Sequence, residues 1–122
     1  MMNNFIEIFE QIKRRPTLFL SRKSIFDFQS FYYGYGLAKQ QFNLQKTEED
    51  LKFDNFLLWL RQRYNIETTQ SWASLVLFHS VDEADALERL FKLWEDYQNI
   101  DDQQNNNTEV ALNENNLVSI TF

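Results

Sequence analysis

The scarcity of residues that interrupt regular structure constrains this chain most. Its 122 residues include only two glycines and one proline. A β-sandwich or barrel changes direction about every 8–12 residues and normally uses Gly and Pro at those turns. Long helices need few turns, so the sequence predicts an all-α fold.

Aromatic residues supply much of the material for a core. The chain has 12 Phe, 5 Tyr and 3 Trp, and each such side chain can bury roughly 150–250 Å². A chain of this length is expected to bury roughly two thirds of the surface that its unfolded form exposes. We therefore predict a single domain with an aromatic-rich core. Because the chain has no cysteine, disulfides and thiolate metal sites are excluded.

Apolar residues at three- and four-residue spacing predict about five helices. Ser24, Thr47, Ser71 and Ser80 have the character of N-caps, and Pro16 disfavours helix at the residue before it. The helices are expected at about residues 3–14, 25–42, 48–64, 72–79 and 81–98, with a connector at 17–20. Within the fourth of these, the short apolar run at 76–78 could instead form a strand.

Gly34 and Gly36 fall inside the second predicted helix. Each glycine lowers the stability of a helix interior by about 1 kcal/mol. Close approach of a neighbouring helix would explain them, and contact with a partner is the alternative.

The composition changes after Ile100. Residues 101–107 are all Asp, Gln or Asn, which predicts a linker because such a tract buries too little apolar surface to offset its ordering entropy. We therefore divide the chain into a helical domain at 1–100 and a linker and tail at 101–122. Residues 117–122 alternate apolar and polar side chains, as a short strand would.

Charge is distributed unevenly along the chain. Residues 1–46 have a net charge of about +4 and residues 47–122 of about −10, which gives −6 in total. Such asymmetry favours a basic partner through electrostatic steering. We predict that the last helix presents an acidic protein-binding face, formed by Asp82, Asp85, Glu88, Glu95 and Asp96.

Residues for catalysis or metal binding are scarce. His79 is the only histidine, so a zinc site would depend on carboxylates, which is an uncommon ligand set. Adjacent acids are frequent but fall in first turns and on polar faces, and the chain has no Gly-rich phosphate loop. We therefore expect no enzyme activity, no metal and no cofactor.

Basic residues and tyrosines raise the possibility of single-stranded nucleic acid as a ligand. The set comprises Lys13, Arg14, Arg15, Arg22 and Lys23, with Tyr32, Tyr33 and Tyr35. Cations at the end of the first helix also complement its dipole, and a pI near 4.7 opposes binding of a polyanion. We expect no nucleic-acid partner.

Membrane insertion and secretion are not indicated. The apolar run at residues 56–60 is far shorter than the roughly 20 residues that span a bilayer. The first residues lack the basic and apolar regions of a signal peptide. We expect a cytoplasmic protein.

Several segments together resemble the small immunity proteins encoded beside polymorphic and contact-dependent growth inhibition toxins in bacteria. They occur in order over about residues 5–98: IKRRPTLFL at 12–20, SI at 24–25, FYYGY at 31–35, FDNFLLWL at 53–60, SW at 71–72, and DEADA at 82–86 leading to Phe91. The chain differs from the family pattern at 17–19, where members often have Gly-Met-Tyr, and at Ser71, where they often have Gly.

The resemblance implies a helical protein that binds its cognate toxin domain and blocks it without catalysis. Toxins of this kind are frequently nucleases, whose basic grooves an acidic face could occupy as a phosphate mimic. The alternative interpretation is a self-associating structural or adaptor protein, with Tyr33, Leu58 or Trp59 exposed at its interface.

Overall fold

The computed structural model describes the backbone of residues 4–64 and 69–118, and side chains as far as residue 103. Within these ranges the chain forms six helices and no strand, which confirms the all-α prediction. The helices are α1 (Phe5–Arg14), α2 (Pro16–Phe19), α3 (Ile25–Gln41), α4 (Glu48–Arg63), α5 (Trp72–Phe78) and α6 (Glu83–Val118). The short run with an ambiguous pattern lies in helix α5, so its strand alternative is wrong.

The sixth helix, α2, replaces the predicted connector. Pro16 occupies its first position. A residue there makes no intrahelical hydrogen bond with its N–H, so proline loses nothing, and its fixed φ is that of a helix. Leu20 N donates to the Pro16 carbonyl oxygen at 2.9 Å. Arg15 keeps α1 and α2 apart, since its extended φ of −142° ends α1 before the proline.

Three of the predicted N-caps are present. The Ser24 side chain accepts from Phe26 N, that of Thr47 from Asp50 N, and that of Ser71 from Ser74 N. At α4 the contact is reciprocal, because Thr47 N also donates to the Asp50 carboxylate at 3.0 Å. A complete capping box therefore begins α4.

The core surrounds Phe9, whose side chain is fully buried. Its ring packs on Phe28 of α3 at 5.2 Å, on Phe53 of α4 at 4.9 Å, and on Phe91 and Trp94 of α6 at 5.3 and 5.9 Å between centroids. The rings are tilted or edge-to-face, the arrangements that aromatic quadrupoles favour. Four helices thus meet at one aromatic cluster.

Helix α6 differs from its prediction at both ends. Asp82, not Ser80, caps it, since Asp85 N donates to Asp82 Oδ1 at 2.8 Å. Ser80 instead donates to the Val76 carbonyl oxygen at the end of α5. The negative charge of a carboxylate also interacts favourably with the positive end of the helix dipole, whereas a serine hydroxyl has no charge.

At its other end α6 continues from residue 98 to Val118, through the polar tract that composition predicted as a linker. The sequence has no Gly or Pro after Gly36, and extending an existing helix adds a hydrogen bond per residue without a new nucleus. Leu117 and Val118 are helical, and the rest of the predicted strand lies outside the described residues. The domain division at residue 100 stays a prediction.

None of the helices described has both the length and the apolar character needed to cross a bilayer.

Candidate protein-binding surfaces

The five acids predicted to form one binding face lie on α6 or at its N-terminus, but they have different surroundings. Asp82 and Asp85 begin the helix together: Asp82 accepts from Asp85 N, and the Asp85 carboxylate accepts from Val81 N at 2.9 Å. Their charges are therefore directed partly at backbone donors, and changing either side chain would disturb the start of α6.

Glu88 and Glu95 form ion pairs with the basic N-terminal part of the chain. Glu88 lies 2.6 Å from Lys23 Nζ, and Glu95 pairs with Lys13 on α1. The hydrogen bond from Lys13 lowers the pKa of Glu95, and the same contact raises the pKa of Lys13. The two halves of opposite charge thus partly neutralise each other within the fold.

Asp96 lines a groove of about 250 Å³ along α6 that contains charges of both signs. Its charged lining consists of Asp85, Glu88, Asp96, Arg63, Arg89 and Lys92. Three carboxylates face three cations, so this part of α6 is a mixed-charge surface rather than a uniformly acidic one. Such a surface suits a partner with its own pattern of charges better than a simple polycation.

A second surface lies on the outer half of α3, where contact with a partner was the alternative explanation of Gly34 and Gly36. Apolar residues at helical spacing from Ile25 to Phe42 predict one buried stripe along α3. Only the first half of this stripe is buried. Ile25 and Phe28 are buried, whereas Ala38 and Phe42 are exposed, Phe42 by 74%. Leu37 and Leu44, which lie off that stripe, are 57% and 59% exposed.

Gly34 and Gly36 lie in this outer half, and no neighbouring helix explains them. A Cβ atom built on either glycine would meet no other atom within 4 Å. The expectation that they permit close helix packing is therefore wrong. The signal for this surface was present in the sequence, as two glycines and the off-stripe Leu37 within α3 and Leu44 shortly after it.

A groove of about 630 Å³ follows this outer half of α3 and the turn after it. It is lined by Tyr32, Tyr33, Gly36, Leu37, Lys39, Gln40, Leu44 and Lys46. Tyr33 is 55% exposed, and its ring packs on that of Tyr32 with 5.5 Å between centroids. The surface therefore combines aliphatic and aromatic groups with two lysines.

Two carboxylates on α4 accept hydrogen bonds from residues at this groove. Asp50 accepts from Lys39 Nζ at 2.5 Å and from Tyr35 Oη at 3.0 Å. Asp54 accepts from Lys46 Nζ at 2.5 Å and from the Tyr32 hydroxyl. Two Tyr–Asp–Lys sets thus hold α3 and the following turn against α4.

Asp50 is 97% buried and has two further donors, Phe5 N at 2.8 Å and Thr47 N at 3.0 Å. Burial alone would raise its pKa, but the hydrogen bonds from Lys39, the two backbone amides and Tyr35 outweigh burial and lower the pKa to about 2. A strongly shifted pKa often marks a functional site. Here the lowered pKa of Asp50 has a structural cause, namely its four hydrogen-bond donors and its position at the N-termini of α1 and α4.

His79, the histidine considered for metal binding or catalysis, lies at the C-terminal end of α5. Its ring stacks on Tyr64 at 4.6 Å between centroids, at the end of α5. Among the described residues no three His, Cys, Asp or Glu side chains are arranged to hold a metal ion.

Several of the basic residues and tyrosines considered for nucleic acid contact other parts of the fold. Lys13 and Lys23 pair with acids of α6, and Tyr35 packs on Phe5 at 5.0 Å. Arg22 binds Asp27 at 3.0 Å. These contacts divide the set between separate parts of the fold.

Comparison of the chain with protein-family models, curated proteins and solved structures finds no match.

Proposed function

We propose that this chain is an immunity protein that binds a cognate bacterial toxin domain in the cytoplasm of the producing cell and neutralises it by association. The observation that carries the proposal is the outward-facing apolar surface of α3 and its following turn. Tyr33, Leu37, Phe42 and Leu44 are each more than half exposed, although the core is filled by other aromatic residues. Exposed apolar surface of this extent is typical of protein-binding sites.

The resemblance of residues 5–98 to immunity proteins supports a toxin domain as the partner. The acidic residues of α6 add a second contact for a basic toxin such as a nuclease, in which they would take positions that phosphates occupy. The mixed charge of that face and its internal ion pairs argue for a matched partner surface, since wrong partners would place like charges together.

Binding and rescue of growth test the proposal. The C-terminal domain encoded by the gene immediately upstream would be expressed, its affinity for this chain measured by calorimetry, and growth scored with both proteins present. Nanomolar affinity with restored growth is the expected result. Absence of both would refute the proposal.

Asp96 is the best residue with which to test the acidic face, because Asp82, Asp85 and Glu88 have structural contacts. Asp96→Lys should weaken toxin binding and reduce its dependence on salt. Asp102→Lys, an exposed acid further along the same helix, is the matched control. Equal affinities for both variants and the unmodified chain would exclude Asp96 as a contact residue.

Self-association is the second candidate function, and exposed apolar groups on α4 favour it. Leu51 and Leu58, seven residues apart on one side of that helix, are 50% and 59% exposed. Of the residues predicted to lie at such an interface, Leu58 and Tyr33 are exposed, and Trp59 is half-buried against Phe56 and Tyr97. A tight homodimer in sedimentation experiments, without toxin binding, would favour this function.

A further inference from the structure

The groove on α3 has features that the packing of this chain alone does not explain. Its side chains come from α3 and from the turn before α4, and its apolar members Leu37 and Leu44 are both more than half exposed. From Tyr32 to Gln40 the groove follows about 12 Å of α3, or roughly two helical turns. This is the length over which a docked helix presents two or three side chains.

Gly36 forms part of the groove surface, and its backbone is open to the outside. A glycine in a helix interior lowers helix stability relative to any ordinary residue. Neither a positive φ nor a close neighbour requires glycine here. The missing side chain does leave room above the helix, which a contacting backbone or side chain could fill.

The charged groups that line the groove are two lysines, and no carboxylate lines it. Lys39 is only 13% exposed and held by Asp50, so its charge is largely satisfied. Lys46 is 50% exposed and donates to Asp54. Because an ammonium group has three donors, Lys46 can also donate to a carboxylate of another molecule.

We propose that this groove is the docking site for a helix of the partner that presents apolar side chains beside a carboxylate. The apolar side chains lie between Leu37 and Leu44 and over Gly36, and the carboxylate pairs with Lys46. The inference rests on the proposed function, protein binding, and it adds the surface and the chemistry of the contacting segment. This mode is that of an amphipathic helix in an apolar groove.

Two helical peptides of about 15 residues test the proposal without the toxin. Both carry leucines at helical spacing; one has glutamates beside them and the other has lysines at the same positions. Each peptide would be titrated into the ¹⁵N-labelled full chain and followed by amide chemical shifts. The expected result is saturable shifts at Gly36, Leu37, Leu44 and Lys46 with the glutamate peptide, and at least about tenfold weaker binding of the lysine peptide.

Two variants separate docking from folding. Gly36→Leu places a side chain in the groove, and Gly34→Leu places the same side chain on α3 where it does not line the groove. Both have open space at Cβ, so both should remain folded by circular dichroism. We expect Gly36→Leu to weaken peptide binding at least about tenfold and Gly34→Leu to change it less than about twofold.

Three results would overturn the proposal: no saturable shifts, equal binding of both peptides, or concentration-dependent shifts of the same residues in the chain alone. The last would identify a second copy as the occupant. The toxin experiment fails independently of this one. Peptide binding at the groove without toxin binding would refute the immunity function but would still support the groove as a docking site.

Discussion

Replacing Asp50 by Asn should destabilise the fold far more than an ordinary surface substitution. The Asp50 carboxylate accepts from Phe5 N and Tyr35 Oη with one oxygen and from Lys39 Nζ and Thr47 N with the other. An amide has one oxygen, so its NH₂ group must face two of these donors. The less harmful orientation points the NH₂ toward Phe5 N and Tyr35, because the tyrosine hydroxyl can rotate and accept.

The magnitude follows from two separate arguments. Removing one partner of a buried ion pair typically costs about 3–5 kcal/mol because the other charge is left buried, and Lys39 is 13% exposed. A pKa that falls from 3.8 to about 2 on folding corresponds to roughly 2–3 kcal/mol of stabilisation by the ionised form. We expect Asp50→Asn to lower the free energy of unfolding by about 3 kcal/mol.

Urea unfolding at pH 7, followed by far-ultraviolet circular dichroism, measures this loss. Glu49→Gln is the matched control, since Glu49 is an exposed acid in the same first turn of α4. It removes the same charge from the helix N-terminus and should cost less than about 1 kcal/mol. A loss for Asp50→Asn as small as that of the control would refute the role of the buried carboxylate.

The pH dependence of this loss provides a second check. Because folding lowers the pKa of Asp50, the stabilisation is complete above the unfolded value and disappears as pH falls through about 2. The contribution of ionised Asp50 at pH 3 should be about half of that at pH 7. The difference between wild type and Asp50→Asn should therefore shrink between pH 5 and pH 2, and a constant difference would contradict the assignment.

Three further substitutions test the core, the start of α6 and the outer half of α3. Phe9→Ala should lower unfolding free energy by about 3–5 kcal/mol, because aromatic side chains of three other helices contact this ring; a loss under 1 kcal/mol in urea unfolding would contradict its central position. Asp82→Ala should cost about 1 kcal/mol as a cap, and Ser80→Ala less; the reverse order would restore Ser80 as the cap. Gly34→Ala and Gly36→Ala should each raise stability by about 0.5–1 kcal/mol, and a lower melting temperature for either would show that the glycine is required within the fold.

Local signals in the sequence predicted most of the helices. Ser24, Thr47 and Ser71 each cap the helix expected after them, because the donors that a cap satisfies lie two or three residues along the chain. Ser80 was wrongly predicted to cap α6, since Asp82, two residues further on, can also cap and the choice depends on the turn before the helix. The continuation of α6 into the polar tract after Ile100 was not expected, because composition alone does not register that a helix is already nucleated.

Contacts between distant residues were beyond the sequence. Asp50 was identified as a first-turn acid of α4, but its donors Phe5 and Lys39 lie 45 and 11 residues away. The same holds for the predicted acidic face. Periodicity places Glu88 and Glu95 on the surface of α6, while their partners Lys23 and Lys13 come from the other end of the chain.

The outer half of α3 shows a more general reason for a missed site. Periodicity identifies which residues share a side of a helix, but not where along its length that side stops meeting another helix. In α3 the stripe from Ile25 is covered at Phe28 and uncovered at Phe42. Since an uncovered apolar stripe and two unexplained glycines occur in the same segment, the most economical explanation is that a partner supplies the missing contact. The groove proposed for that partner lies beside the stripe, since its apolar members Leu37 and Leu44 are off it, and the spacing of the stripe therefore could not locate it.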